Sequence, residues 1–281
     1  MPVLSEHRLR LGDREVTLLE GSAGWGEWSP LPGYPSDPAV CRAAAEEAAL
    51  VGFPPAVRDA VPVNALVDGP FLVNEVRGYA AVKVKVRDAA GLALVRAVRD
   101  AVGPDVGVRV DANGAWDVDT AVTMISKLAP LDLEYVEQPC ASLDDLAAVR
   151  RRVDVPIAAD ECIRSLDDAR ALRAKDAADV IVLKQQPLGG VRSALDIAEA
   201  AGVPAVVSSM METSIGIAAG VALAAALPEL PYACGLATLS ALPGDVTHTP
   251  LVPVDGVLPV RVVVPDPDLL ARYSSTNDAS R

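Results

Sequence analysis

Between Ala81 and Lys184 the chain reads AVKVKV (81–86), VGVRVD (106–111), LEYVE (133–137), PIAAD (156–160) and DVIVLK (179–184), five short runs rich in β-branched residues. A turn and a helix-forming stretch follow each of them: GLALVRAVRDAV (91–102), DVDTAVTMISKLA (117–129), SLDDLAAVRR (142–151), SLDDARALRA (165–174) and VRSALDIAEAA (191–201). Two of these stretches open with Ser-Leu-Asp-Asp, an N-cap followed by acids in the first turn. The strand runs are apolar almost throughout, as parallel strands covered on both faces must be. The same rhythm takes in VPVNALV (61–67) upstream, and PAVVSS (204–209) and YACG (232–235) downstream. Eight strands alternating with helices predict a (β/α) barrel over residues 61–241, with a doubly wound open sheet as the second reading.

The ends lack this rhythm. Residues 1–60 contain HRLRL, REVTLLEG and GWGEWSPLPGY, which read as a hairpin and a loop, followed by a helix at Pro38–Leu50. From Leu242 onward come turns and one further strand, GVLPVRVVV (256–264). Both ends are predicted to pair into a small α+β cap beside the barrel, with YSSTNDASR (273–281) as a frayed tail.

The full sequence has 281 residues and a formal charge of −13. Such an acidic chain repels phosphate backbones, which argues against a nucleic-acid partner. A hydrophobic fraction of 51% is ample for a core. The start, MPVLSEHRLRLGDREV, has no apolar run, so no signal peptide is expected. The longest apolar stretch, Ile215 to Leu227, is too short to span a bilayer. A cytoplasmic protein without a membrane partner follows as the expectation, its oligomeric state open and a monomer compatible. Cys41, Cys140, Cys162 and Cys234 lie far apart and read as small apolar side chains in a reducing compartment. The two histidines, His7 and His248, are too few for a His-based triad or a His-rich zinc site.

Chemistry is concentrated at the ends of the strands. Of 25 basic residues only five are lysines, and Lys83, Lys85 and Lys184 lie in the apolar runs. An amine there can be tuned to act as a base, which a guanidinium cannot. In a barrel, catalytic groups sit at the C-terminal strand ends, and those ends deliver Lys85, Asp111, Glu137, Asp160 and Lys184 at steps of 26, 26, 23 and 24 residues. Taken singly, Asp111 and Asp160 also fit turn or N-cap positions, Glu137 a solvated strand end, and Lys83 and Lys85 an exposed edge. The recurrence of one strand phase five times favours a convergent site. Asp111, Glu137 and Asp160 make a hard oxygen set suited to Mg²⁺. Lys83 and Lys85, two apart on a strand, point the same way, and their mutual repulsion is expected to lower at least one pKa. The matching reaction is proton abstraction α to a carboxylate, with the enediolate held on the metal.

VKVKV (82–86), VRVDANGAW (108–116), YVEQP (135–139), AADEC (158–162) and VLKQQPLGG (182–190) together resemble the motif set of the enolase superfamily, in its muconate-lactonizing subgroup. The resemblance implies a (β/α)7β TIM-type barrel with a capping domain. GWGEWSPLPGY, VPVNALVDG and the segment from Val206 to Thr247 are similar to an actinobacterial group within it. That similarity implies a hydro-lyase of menaquinone synthesis, dehydrating 2-succinyl-6-hydroxy-2,4-cyclohexadiene-1-carboxylate to o-succinylbenzoate. By motif, Asp111, Glu137 and Asp160 are then the ligands of Mg²⁺, with Mn²⁺ as a possible substitute. Lys85 is the base and the acid for the departing hydroxyl, Lys83 its support, and Lys184 the cation on the opposite face. Arg109 and Asn113 are implied as contacts around the metal or the substrate, and Gly189, Gly190, Ser208 and Ser209 as receivers of the succinyl arm. The same constellation suits N-succinylamino acid racemisation, with Lys184 as the opposite-face acid; a non-catalytic carboxylate- or metal-binding barrel is the remote alternative. Only 82 residues precede the Lys-x-Lys motif, so the cap loop that closes the site is expected to be abbreviated.

Overall fold

A computed structural model describes residues 3–275. The chain begins with β1 (Ser5–Leu11), β2 (Arg14–Gly21) and β3 (Gly24–Trp28), an antiparallel meander in that spatial order. After a loop comes α1 (Pro38–Leu50), capped by Asp37, whose side chain accepts from the Ala39 amide, and packed on β2 and β3. The run read as one strand at 61–67 is divided into β4 (Ala60–Pro62) and β5 (Ala65–Val67). The interruption has a cause: Asn64 turns inward, where its Oδ1 accepts from the buried Arg109 guanidinium at 3.1 Å.

The βα rhythm then runs through α2 (Val73–Val76), β6 (Ala81–Lys85), α3 (Gly91–Val102), β7 (Gly107–Asp111), α4 (Val118–Leu128), β8 (Leu133–Glu137), α5 (Leu143–Arg150), β9 (Ile157–Ala159), α6 (Leu166–Lys175), β10 (Val180–Leu183), α7 (Val191–Ala201), β11 (Ala205–Val207) and α8 (Ser214–Ala226). Ser142 and Ser165 cap α5 and α6 by accepting from the amides of Asp145 and Asp168. Strands β5 to β11 form one parallel sheet in chain order. The predicted strand at 232–235 is reduced to a bridging segment, yet it closes the ring. Gly235 N donates to Val207 O at 2.7 Å on one side, while Cys234 N donates to Pro62 O at 2.7 Å on the other. Glu137 pairs with Ala158, two residues before Asp160, and Ile181 pairs with Ala159, so the register steps along the sheet as a tilted barrel requires. The barrel is the architecture predicted from the sequence, and the open sheet is excluded by this closure.

The apolar stretch at 215–227 is α8, buried along almost its whole length as a helix hydrophobic on all sides must be. Among the described residues no helix is long and apolar enough to cross a membrane. The C-terminal region differs from expectation. Its strand is only β12 (Val257–Pro259), and it pairs antiparallel with β4 rather than with the N-terminal sheet. Contact with that sheet is made instead by α9 (Pro267–Tyr273) and by Ser274, which bridges to Leu9. Tyr273 to Ser275 are therefore ordered parts of the fold, and the rest of the predicted frayed tail lies outside the described residues.

Candidate active site

Three strand ends lie in direct register: Lys85 is opposite Asp111, and Asp111 is opposite Glu137. The alternation of a strand sends all three side chains inward, with Lys83 one layer below. Lys83 Nζ donates to Glu137 Oε1 at 2.8 Å and lies 3.2 Å from Asp111 Oδ2. Lys85 Nζ donates to Asp111 Oδ2 at 2.6 Å and to Asn113 Oδ1 at 2.8 Å. Across the ring, Asp160 and Lys184 follow β9 and β10 directly and pair with each other. Beginning at β5 and ending at the segment 232–235, the ring has eight positions, so β6 and β10 face each other across it.

These groups surround a cavity of 330 Å³ at the C-terminal mouth of the barrel. Lys83, Lys85, Asp111, Asn113, Lys184, Ser208 and Ser209 line it. A wider, more open depression continues outward from it past Leu31, Tyr34, Asn113 and Glu161. Three residues at the mouth hold left-handed backbones: Asn113, Gln138 and Met211, with φ of 47°, 40° and 58°. Gln138 does so immediately before Pro139, where an extended backbone is the ordinary choice. Its side chain explains the cost, because Oε1 accepts the Asp160 amide at 2.7 Å and Nε2 donates to Cys140 O at 2.7 Å, tying β8 to β9 beneath Asp160.

Asp111, Glu137 and Asp160 are buried. Burial, and next the repulsion of Asp111, push the Glu137 carboxyl above the usual range. Burial alone would raise Asp111 too, but Lys83 and Lys85 outweigh it and hold that carboxyl low. Burial pulls the Lys83 ammonium down, yet Glu137 and Asp111 together hold it above the ordinary lysine value. The expected lowering of a lysine by its neighbour therefore does not occur at Lys83, because two carboxylates are in direct contact with it. Lys184 is likewise pulled down by burial and raised more strongly by Asp160 and Glu161.

The donor set fits a divalent cation. Asp111, Glu137 and Asp160 are hard oxygen donors on three successive strands. Glu161, which also lines the cavity, carries a buried Oε2 that accepts no hydrogen bond, while its Oε1 accepts from Asn113 Nδ2 at 2.9 Å. Four carboxylates thus share three ammonium groups.

Three of the predicted contacts are elsewhere. Arg109 does not reach the cavity: it points into the barrel interior, fully buried, with its guanidinium carbon 4.9 Å from the Tyr135 ring centre and 5.6 Å from that of Tyr232. It donates to Ala233 O at 2.6 Å and to Asn64, so it braces a cavity-lining residue rather than touching a substrate. Gly189 and Gly190 form the turn into α7 and face the cap helix α1. Glycine is required at 190 by a φ of +116°, and a Cβ there would displace the flexible end of Glu47 on α1, so this turn faces the cap helix rather than a substrate arm.

The residue missed from sequence is Tyr34, in the loop between β3 and α1. Its hydroxyl donates to Asp160 Oδ1 at 3.0 Å, and its ring centre lies 4.4 Å from Lys184 Nζ. Nothing local marks it, since its partners are 126 and 150 residues away. Glu161 was also overlooked; its adjacency to Asp160 in AADEC was the available signal.

Comparison with known proteins agrees with this geometry. Residues 72–266 match the enolase C-terminal domain-like family and residues 7–49 the enolase N-terminal domain-like family. The chain is 59% identical to an o-succinylbenzoate synthase of Thermobifida fusca, over 89% of this chain and 82% of that protein. It is 48% identical to one of Mycolicibacterium smegmatis, over 93% and 84% respectively. In three dimensions it superposes on a muconate cycloisomerase from Pseudomonas fluorescens with a TM-score of 0.83 at 23% identity, covering 97% of this chain and 98% of that one. An isomerase from Streptomyces coelicolor gives 0.80 at 27% identity, covering 97% of each. The chain belongs to the enolase superfamily and, within it, to the o-succinylbenzoate synthase family.

Proposed function

We propose that the chain is a hydro-lyase that removes water from 2-succinyl-6-hydroxy-2,4-cyclohexadiene-1-carboxylate to give o-succinylbenzoate, in menaquinone synthesis. The observation that carries the reading is the placement of Lys85 and Lys184 on opposite sides of one cavity lined by Asp111, with Glu137 and Asp160 paired to the lining lysines Lys83 and Lys184. A volume of 330 Å³ suits a small dicarboxylate.

Asp111, Glu137 and Asp160 would hold Mg²⁺, or Mn²⁺ in its place, supplying a Lewis acid for the substrate carboxylate. Lys85, as the free amine, takes the proton α to that carboxylate, and the electron pair moves into the carboxylate group. The pair returns to the ring as the carbon–oxygen bond breaks, and the same ammonium gives its proton to the departing hydroxide, so water leaves on the face from which the proton came. Asn113 and Asp111 aim Lys85. Lys184, fixed between Asp160 and the Tyr34 ring, presents a positive charge to the developing anion from the other face. Ser208 and Ser209, in the loop after β11, line the wall available to the succinyl arm.

The test follows ultraviolet absorbance of the purified protein with Mg²⁺ and the cyclohexadiene, with and without EDTA. Rapid, EDTA-sensitive formation of the aromatic product is expected. No conversion, together with α-carbon exchange of an N-succinylamino acid in D₂O, would overturn dehydration in favour of racemisation.

A further inference from the structure

The cavity wall is built from two loops that belong to different parts of the chain. The cap loop between β3 and α1 contributes Leu31 and Tyr34, while the loop between β11 and α8 contributes Ser208, Ser209, Met210 and Met211. Beneath them lies a buried polar network that the chemistry does not use. Glu27, at the end of β3, is 3% exposed and sits against the N-terminus of α8. Its Oε1 accepts from Ser29 Oγ at 2.7 Å and from Thr213 N at 3.2 Å. Its Oε2 accepts from Thr213 Oγ1 at 2.5 Å and from Gly216 N at 2.9 Å. Gly216 leaves the room this needs, for a Cβ there would lie 3.0 Å from Glu27 Oε2 and 2.4 Å from the Glu212 Cβ.

The second carboxylate, Glu212, accepts from Met210 N at 2.7 Å and from Gln186 Nε2 at 3.0 Å. Gln186, just past Lys184, turns its Oε1 to the Ser29 amide at 2.9 Å. Arg14, at the start of β2, donates to Ser29 O at 2.6 Å and Pro30 O at 3.2 Å on the cap loop, and to Met210 O at 3.3 Å on the barrel loop. Glu27, Gln186 and Arg14 tie the cap loop, or the turn that starts it, to the barrel, and Glu212 holds Gln186 and the Met210 amide in place for them. A buried carboxylate needs its full set of donors, and a guanidinium can span several carbonyls at once. The arrangement therefore has one low-energy geometry, not a range of them.

We propose that Arg14 and Glu27 are positioning residues: with Gln186 and Glu212 they clasp the cap loop to the β11–α8 loop and so set the width of the substrate cavity. The inference rests on the cavity being the substrate site assigned above. The proton-moving and metal-binding groups stand on β6 to β8 or directly after β9 and β10. The cap loop reaches them through Tyr34, whose hydroxyl bonds are weak beside the Asp160–Lys184 ion pair, so loosening the clasp acts on substrate hold more than on the chemical step.

The experiment measures two quantities on Arg14→Gln and on Glu27→Gln: amide hydrogen exchange, and kcat and KM for the cyclohexadiene. Exchange at residues 29–37 and 209–213 is expected to rise about tenfold, with β6 to β8 as protected as in the wild type. KM is expected to rise about tenfold while kcat changes about threefold or less. Wild-type protection in both loops, or a fall in kcat with KM unchanged, would overturn the clasp. If Glu27→Gln does not fold, Arg14→Gln carries the same test from a half-buried position. A wild-type protein that fails to convert the cyclohexadiene would defeat the assigned reaction, and the exchange measurement would still decide whether the two loops are clasped.

Discussion

The two lysines that face each other across the cavity have unequal surroundings. Lys85 is held from its own side of the sheet only, by Asp111 and Asn113, and its side chain is 18% exposed. Lys184 is 9% exposed, with a carboxylate on one side and a tyrosine face from the cap on the other. A proton carrier must swing between its support and the substrate, which the open side of Lys85 permits. A charge that only stabilises works best when fixed in place before the reaction starts. This contrast gives the largest expected effect. Lys85→Arg should lower kcat about a thousandfold, since a guanidinium does not give up its proton. Lys184→Arg keeps the charge and should cost about ten- to thirtyfold. Equal losses in steady-state kcat would break the distinction between the two lysines.

Asp160→Asn tests the fixed side from below. It removes one of three proposed metal ligands and the partner of both Lys184 and Tyr34. Turnover with Mg²⁺ should fall about a hundredfold or more, while far-UV circular dichroism is unchanged. Unchanged activity would remove Asp160 from the ligand set.

The clasp between the domains provides a contrast of a different kind. At the mouth, carboxylates are countered by lysines. At Glu27 the carboxyl is surrounded by neutral donors, with Glu212 beside it, Asp245 capping the start of α8 and Arg14 pointed at carbonyls. Burial first, and Glu212 second, raise Glu27 to about 7. The folded protein then keeps a proton that the unfolded chain loses near pH 4.5. This group's contribution to stability is complete below pH 4.5 and lost as pH rises to about 7. Glu27→Gln has no such proton, so its stability relative to wild type should improve by about 2 kcal/mol between pH 5 and pH 8, read by urea denaturation. A constant difference would mean that the four donors keep Glu27 ionised throughout.

The barrel and its charged ring were legible because both are periodic. Strand runs recur once per βα unit, and a charge at each strand end departs visibly from an apolar pattern. Lys127 and Lys175 lie outside those runs and are exposed, as that reasoning would have it. Arg109 is also in strand phase and level with Lys83, but its guanidinium is taken up by Asn64, Glu134 and Ala233 O and lies over Tyr135 and Tyr232, partners that no local pattern records. The glycines at 189 and 190 sit at a strand end in sequence, yet the backbone turns them toward α1. Tyr34, Glu27 and Arg14 were illegible for one shared reason. Each has a deciding partner on the other domain, and nothing in a local pattern records which cap loop meets which barrel loop.

Tyr34 is where that long-range contact touches the chemistry, and it gives the smallest expected effect. Tyr34→Phe keeps the ring over Lys184 and removes the hydroxyl, which donates to Asp160 and accepts from Lys184 Nζ at 3.4 Å. One such bond contributes about 0.5–1.5 kcal/mol, so a loss of about threefold in kcat/KM is expected. Tyr34→Ala removes the ring as well and exposes Lys184 from above, and should cost about tenfold more. The pair separates two explanations of the asymmetry between the lysines. If the ring fixes Lys184, the alanine variant alone should narrow the gap between Lys184→Arg and Lys85→Arg. If the phenylalanine variant already shows the full loss, the cap acts through the hydroxyl that bridges Asp160 and Lys184 instead, and that ion pair, not the lysine beneath the ring alone, is what the cap loop holds in place.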